Sequence, residues 1–184
     1  GFLNLGREGT PVIETDKKGN KKYINPWAFS ASGDKLGKFS QSYMNQFAGQ
    51  YVVVKYRQDF FNTGLSQKTA YNIQTIEPIS QQNKPVVCSD PKATGAKSEG
   101  FRVGRIVKAS TKGTMAKSYE IMIQVGNSGN LYFPVSALSK EMYECAITNL
   151  KSAKQVKIFY AKSWVTFLQD TNYAITRIEP VNDI

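Results

Sequence analysis

Short alternations of apolar and polar residues dominate the chain, and they are clearest in its second half. Residues 102–110 (RVGRIVKAS) are β-branched and predict a strand. In residues 119–125, Tyr119, Ile121, Ile123 and Val125 fall on one face of a second strand. The turn signal 126–130 (GNSGN) and the return 131–133 make a hairpin, which Pro134 ends or places at an edge. The period then changes. Over 139–150, Ser139 is a fair N-cap, Glu141 and Glu144 suit a first turn, and Met142, Ala146, Ile147 and Leu150 share one helical face. Alternation resumes over 155–164, with Val156, Ile158 and Tyr160 inward and Lys157, Phe159 and Ala161 outward. Residues 173–181 form a last strand closed by Pro180.

The same order is written earlier in the chain. A short N-terminal strand is followed by strands at 11–16 and 21–25 and a helix carrying Phe39, Tyr43, Met44 and Phe47 on one side. Strands at 51–61 and 71–79 complete it. The two stretches are related by sequence. Residues 71–79 (YNIQTIEPI) return as 173–181 (YAITRIEPV), and 52–60 resembles 156–164, so that Tyr56 matches Tyr160 and Phe60 matches Trp164. Weaker echoes join Gly19-Asn20 and Pro26 to Gly129-Asn130 and Pro134, and Gly1-Phe2 to Gly100-Phe101. The reading is two homologous units, 1–80 and 100–184, joined by a polar linker at 81–99 rich in Pro, Ser, Lys and Gly. Three strands, a helix and two strands in each unit give the expected fold class: mostly β with short helices, as two tandem OB-fold-like five-stranded barrels with the helix plugging one end. An SH3-like barrel is the alternative, but it has no place for a helix there.

Composition narrows the chemistry. The 184 residues contain no His, which excludes His-based triads and His metal sites, and no motif for phosphate cradling, dinucleotide binding or a nucleophile elbow is present. No enzyme, cofactor or metal is expected. No apolar run reaches the length of a membrane span. The net charge of +10 comes from 19 Lys and 5 Arg against 14 acids, spread over both halves. Such a surface favours acidic partners or serves only solubility, and the forked guanidinium groups that read bases and phosphates are scarce.

Several residues stand out as candidates. Glu14 and Asp16 flank a turn, where Asp, Gly and Asn supply unusual dihedrals, so turn chemistry is preferred to a metal or acid site. Glu77 and Glu179 occupy equivalent places and are read as caps at strand ends. Tyr23, Trp27 and Phe29 form an aromatic cluster that anchors the loop before the first helix. An aromatic platform with neighbouring cations is able to stack bases or sugars. The candidate ligand-binding residues are Tyr51, Lys55 and Arg57 in the first unit, and Phe159, Lys162 and Trp164 in the second. The two cysteines are expected to pair. Cys145 lies on the flank of the second helix and Cys88 in the linker, where a bond would anchor mobile chain. Such a bond persists only in an oxidising compartment.

Beyond the tandem OB pattern, the second unit resembles the receptor-binding subunits of secreted bacterial toxins at Val103-Gly104-Arg105-Ile106, at 154–159 (KQVKIF) after a helix, and at Trp164. It lacks the pair of Cys expected inside one such barrel. That resemblance implies glycan binding. The chain starts at Gly1 without a leader, as removal of a signal peptide, a lipoprotein leader or a cloning tag would leave it. The function expected from these features is a non-enzymatic binding or assembly module of the bacterial envelope or secreted space. It would be periplasmic or secreted, with a protein or glycan partner favoured over nucleic acid. The alternatives are a single-stranded nucleic-acid-binding protein and a glycan-binding toxin-like subunit.

Overall fold

A computed structural model of the chain describes residues 2–4, 13–23, 26–31, 38–48, 50–59, 69–79, 82–90, 98–113, 116–126, 131–162 and 169–181. These residues are mostly β-structure with two short helices, and the chain divides into two units, Gly1–Ile79 and Ser80–Ile184.

The first unit contains β1 (Phe2–Asn4), β2 (Ile13–Thr15), β3 (Lys21–Tyr23), β4 (Pro26–Ala28), helix α1 (Gln41–Asn45), β5 (Val52–Gln58) and β6 (Tyr71–Pro78). Among the described residues its strands pair as three antiparallel ladders, β1–β4, β2–β3 and β5–β6, with a parallel bridge from Ser30 to Asn72. Ser40 caps α1 by accepting from the Tyr43 amide, which satisfies an otherwise orphan donor. The expected aromatic side of this helix is real: Tyr43 packs edge-on against both Phe39 and Phe47.

The second unit contains β7 (Cys88–Ser89), β8 (Ser98–Lys112), β9 (Ser118–Val125), β10 (Tyr132–Ala137), helix α2 (Lys140–Ser152), β11 (Val156–Lys162) and β12 (Tyr173–Pro180). Its sheet runs β10-β9-β8-β11-β12-β7, and a parallel bridge between Ser136 and Ala174 returns β10 to β12. A meander of three strands, a helix, and two strands that close onto the first and third is the connectivity of an OB barrel. Ile121, Ile123, Val135, Val156, Ile158, Ile175 and Ile178 fill the interior, all 2% exposed or less. Each contributes about 1.5–3 kcal/mol by leaving water.

The repeat holds at the level of hydrogen-bonded register. β5 and β6 pair from Val52↔Pro78 to Gln58↔Tyr71, and β11 and β12 from Val156↔Pro180 to Lys162↔Tyr173. Both ladders skip one residue of the second strand at the same place, Gln74 and Thr176. The bridges Ser30↔Asn72 and Ser136↔Ala174 also correspond. Two sequence echoes do not survive. Three residues before each bridging serine stand Trp27, which opposes Leu3 of β1, and Phe133, which opposes Ile123 of β9. β1 therefore takes the place of β9, Phe2 is not the counterpart of Phe101, and Pro26 corresponds to Tyr132 rather than to Pro134.

Other expectations need correction. Residues 81–99 are not a free linker over their first half. The Asn149 amide clasps the backbone of Val86, donating to its carbonyl at 3.2 Å and accepting from its N–H at 3.1 Å. Cys88 is joined to Cys145 by a disulfide, and β7 pairs with β12. Asp90 accepts from the Ser139 hydroxyl at 2.7 Å, and Ser139 in turn caps α2. Residues 91–97 lie outside the described residues. The buried line of α2 is Met142, Ala146, Asn149 and Ser152 rather than Met142, Ala146, Ile147 and Leu150. Two polar side chains are inside because Asn149 serves this strap and Ser152 bonds the Asn149 carbonyl at 2.7 Å. Ala161, expected outward, is buried, because an alanine between Glu99 and Ala174 is too short to reach past its neighbours. Pro134 does not end β10 but lies within it.

Candidate ligand-binding face

The barrel pattern decides what faces out. On β8, Gly104 and Ile106 are buried, so Phe101, Val103 and Arg105 point to the outside. On β11, Val156 and Ile158 are buried, so Lys157 and Phe159 do. Strand register then places Phe101 opposite Phe159, and Phe159 opposite Arg177 of β12, as one row across three strands. The next rung holds Val103, Lys157 and Glu179.

The side chains gather into a platform. The Phe101 and Phe159 rings have centroids 5.9 Å apart, and Phe101 is 54% exposed, far more than a core aromatic. The Lys157 ammonium lies 4.2 Å from the Phe101 centroid and 4.8 Å from that of Phe159. The Arg177 guanidinium lies 4.2 Å from the Phe159 centroid and pairs with Glu179 at 3.1 Å. At exposed sites each cation–ring contact is worth about 0.5–1 kcal/mol, little enough for a ligand to displace. A cleft of about 210 Å³ opens beside the rings, lined by Glu99, Gly100, Phe101, Phe159, Tyr160 and Thr176. Gly100 makes room there for Tyr160, whose hydroxyl would lie 2.8 Å from a β-carbon at that position. The first unit does not share this surface: Lys55 and Thr75 stand where the second has Phe159 and Arg177.

What both units do share is an aromatic triad. In the first, Trp27 lies 4.9 Å from Tyr56 and 5.4 Å from Tyr71, and the two tyrosines meet edge-on at 84°. In the second, Phe133 lies 4.9 Å from Tyr160 and 5.0 Å from Tyr173, and those tyrosines meet at 83°. Half-burial and duplication with equal geometry mark these triads as packing within each unit. Tyr23 of the expected first-unit cluster has no described side chain, while Trp27 and Phe29 do stack at 5.6 Å.

Of the candidate residues, Phe159 is part of the platform. Lys162 is exposed and sits 6.0 Å from the Tyr173 ring, at the triad instead. Trp164 lies outside the described residues. In the first unit Tyr51, Lys55 and Arg57 are all exposed, and Arg57 is held by Asp59 at 2.9 Å. Sequence reading missed Phe101 and Arg177, since only strand pairing brings them to Phe159.

Asp16 has the turn role expected of it. Its carboxylate accepts from the Lys18 and Asn20 amides, both at 2.8 Å, and the Asn20 backbone bond above all holds its pKa below the ordinary aspartate value. Among the described residues no cluster of His, Cys, Asp or Glu is placed to hold a metal, and no helix is long and apolar enough to cross a membrane.

No protein-family model matches the chain, and no curated protein matches it. Among solved structures it is similar to a deletion mutant of the single-stranded DNA binding protein from Thermus aquaticus. The identity is 14%, over 94% of this chain and 80% of that one, with a TM-score of 0.32. So loose a superposition does not bear on ligand.

Proposed function

We propose that the chain is a non-enzymatic binding protein whose second unit takes single-stranded nucleic acid on the outer face of β8, β11 and β12. The observation that carries this reading is the row Phe101–Phe159–Arg177 with Lys157 over both rings. Exposed rings stack bases without regard to sequence, and adjacent cations meet the phosphates. Lys157 is suited to the second task, because a flexible ammonium swings from a ring face to a phosphate oxygen at small cost. This reverses the order of partners expected from charge and Arg scarcity alone: two aromatic faces and two cations converge, which a merely solubilising surface does not require.

Fluorescence anisotropy with labelled oligo(dT) tests it. Binding is expected at low salt, weakening with a slope of about −0.7 per phosphate contacted. Phe101→Ala/Phe159→Ala should weaken it by at least about tenfold, since stacking is worth roughly 1–3 kcal/mol per base. No binding at low salt, or binding indifferent to both phenylalanines, overturns the reading.

The Cys88–Cys145 disulfide favours a second, compatible reading: a binding module of the periplasm or secreted space, where such a bond persists. Stacking rings also accommodate sugars. Salt-insensitive binding to a neutral oligosaccharide, lost with the same two phenylalanines, would select the glycan alternative.

A further inference from the structure

The platform is polar along its length, and that polarity has a use. β8 and β11 are antiparallel, so Lys157 stands one rung to one side of the Phe101/Phe159 pair, opposite Val103. Glu99 stands one rung to the other side, opposite Ala161. Four residues of strand, roughly 13 Å, separate the rungs of Lys157 and Glu99. The cation end and the carboxylate end are thus divided by two ring faces, and the cleft of about 210 Å³ lies at the carboxylate end with Tyr160 and Thr176 on its wall. A nucleotide has the same layout: an anionic phosphate at one end, a flat base, and a hydrogen-bonding edge at the far end.

Resting on the reading of this face as a nucleic-acid site, we infer that Glu99 is a specificity-determining residue that selects guanine over thymine or uracil. An ionised carboxylate only accepts hydrogen bonds. Guanine offers it two parallel donors, N1–H and the N2 amino group, which match its two oxygens as a guanidinium fork does. Thymine and uracil offer one N–H between two carbonyl oxygens, which the carboxylate repels. In the first unit Lys55 and Thr75 stand where the second has Phe159 and Arg177, so the preference belongs to the second unit.

Anisotropy with full-length protein and three labelled strands tests this: thymine only, thymine with isolated guanines, and the same strand with inosine in place of guanine. Guanine is expected to tighten binding about tenfold over thymine, in line with one good bidentate pair, and inosine, lacking the amino group, to lose most of that gain. Glu99→Gln, an exposed substitution checked by an unchanged thermal melt, should bring the guanine-to-thymine ratio close to one, weakening guanine binding and tightening thymine-only binding where the repelling charge is gone. Equal affinity for all three strands, or a guanine preference that survives Glu99→Gln, overturns the inference and leaves the platform reading intact. Failure of the wild type to bind even the thymine strand overturns both.

Discussion

Removing the Cys88–Cys145 bond has a calculable consequence. The cysteines are 57 residues apart, and their α-carbons lie 6.6 Å apart, within the ordinary reach of a disulfide. Cross-linking a loop of that length removes enough freedom from the unfolded chain to stabilise the native state by about 4 kcal/mol in the chain-entropy model. The native strap has other attachments: the Asn149 clasp, the two-residue pairing of β7 with β12, and the Asp90–Ser139 bond. Cys88→Ser/Cys145→Ser should therefore keep its fold and act mainly on the unfolded state. For a unit of this size about 4 kcal/mol lowers Tm by roughly 18 °C. Circular dichroism melts of wild type and variant, with and without reductant, measure it. The wild type should fall to the variant's Tm on reduction, and the variant should ignore reductant. A shift under about 4 °C, near 1 kcal/mol, or two free thiols in native unreduced protein, refutes the reasoning.

Asn149→Ala strips both hydrogen bonds from the Val86 backbone and leaves a gap in a site only 1% exposed; it should cost about 2 kcal/mol, read as a lower urea midpoint with faster exchange of the Val86 amide. An unchanged midpoint would mean the clasp contributes nothing. Gly104→Ala should be the more damaging of two glycine substitutions, by roughly 3 kcal/mol, because its new carbon would meet the Gln124 carbonyl oxygen at 2.2 Å, and backbone there cannot yield. Gly100→Ala displaces only the tip of Tyr160 and should cost about 1 kcal/mol; equal melts for the two would contradict the barrel register.

What the sequence made legible was local or duplicated. Alternation located β9 and β11, helical spacing and Ser139 located α2, and the repeated Y-x-I-x-x-I-E-P stretch announced β12 and two copies of one ladder. The lost features depend on partners distant in sequence. Val86–Asp90 reads as linker because it is proline-bounded and set in a polar stretch, yet Asn149, Cys145 and Thr176 hold it in place. Asn149 looks like an exposed position for the same reason, its amide being matched to a backbone 63 residues away. The platform was half visible. Phe159 and Lys157 alternate outward on one strand, but Phe101 and Arg177 join them only through pairings that no single stretch encodes.

Pro134 has a consequence for self-association. The Val125 amide donates to the Leu131 carbonyl, so the odd-numbered residues of β10 turn their backbone groups to β9, and Pro134 turns its own toward the other edge. Among the described residues β10 meets β12 on that edge only at Ser136, two positions beyond the proline. At position 134 a proline offers a stray strand no N–H to pair with. The strand is thereby unwelcoming to fibril-like growth at this position, and replacing the one exposed ring would give edge-to-edge pairing a donor that it now lacks.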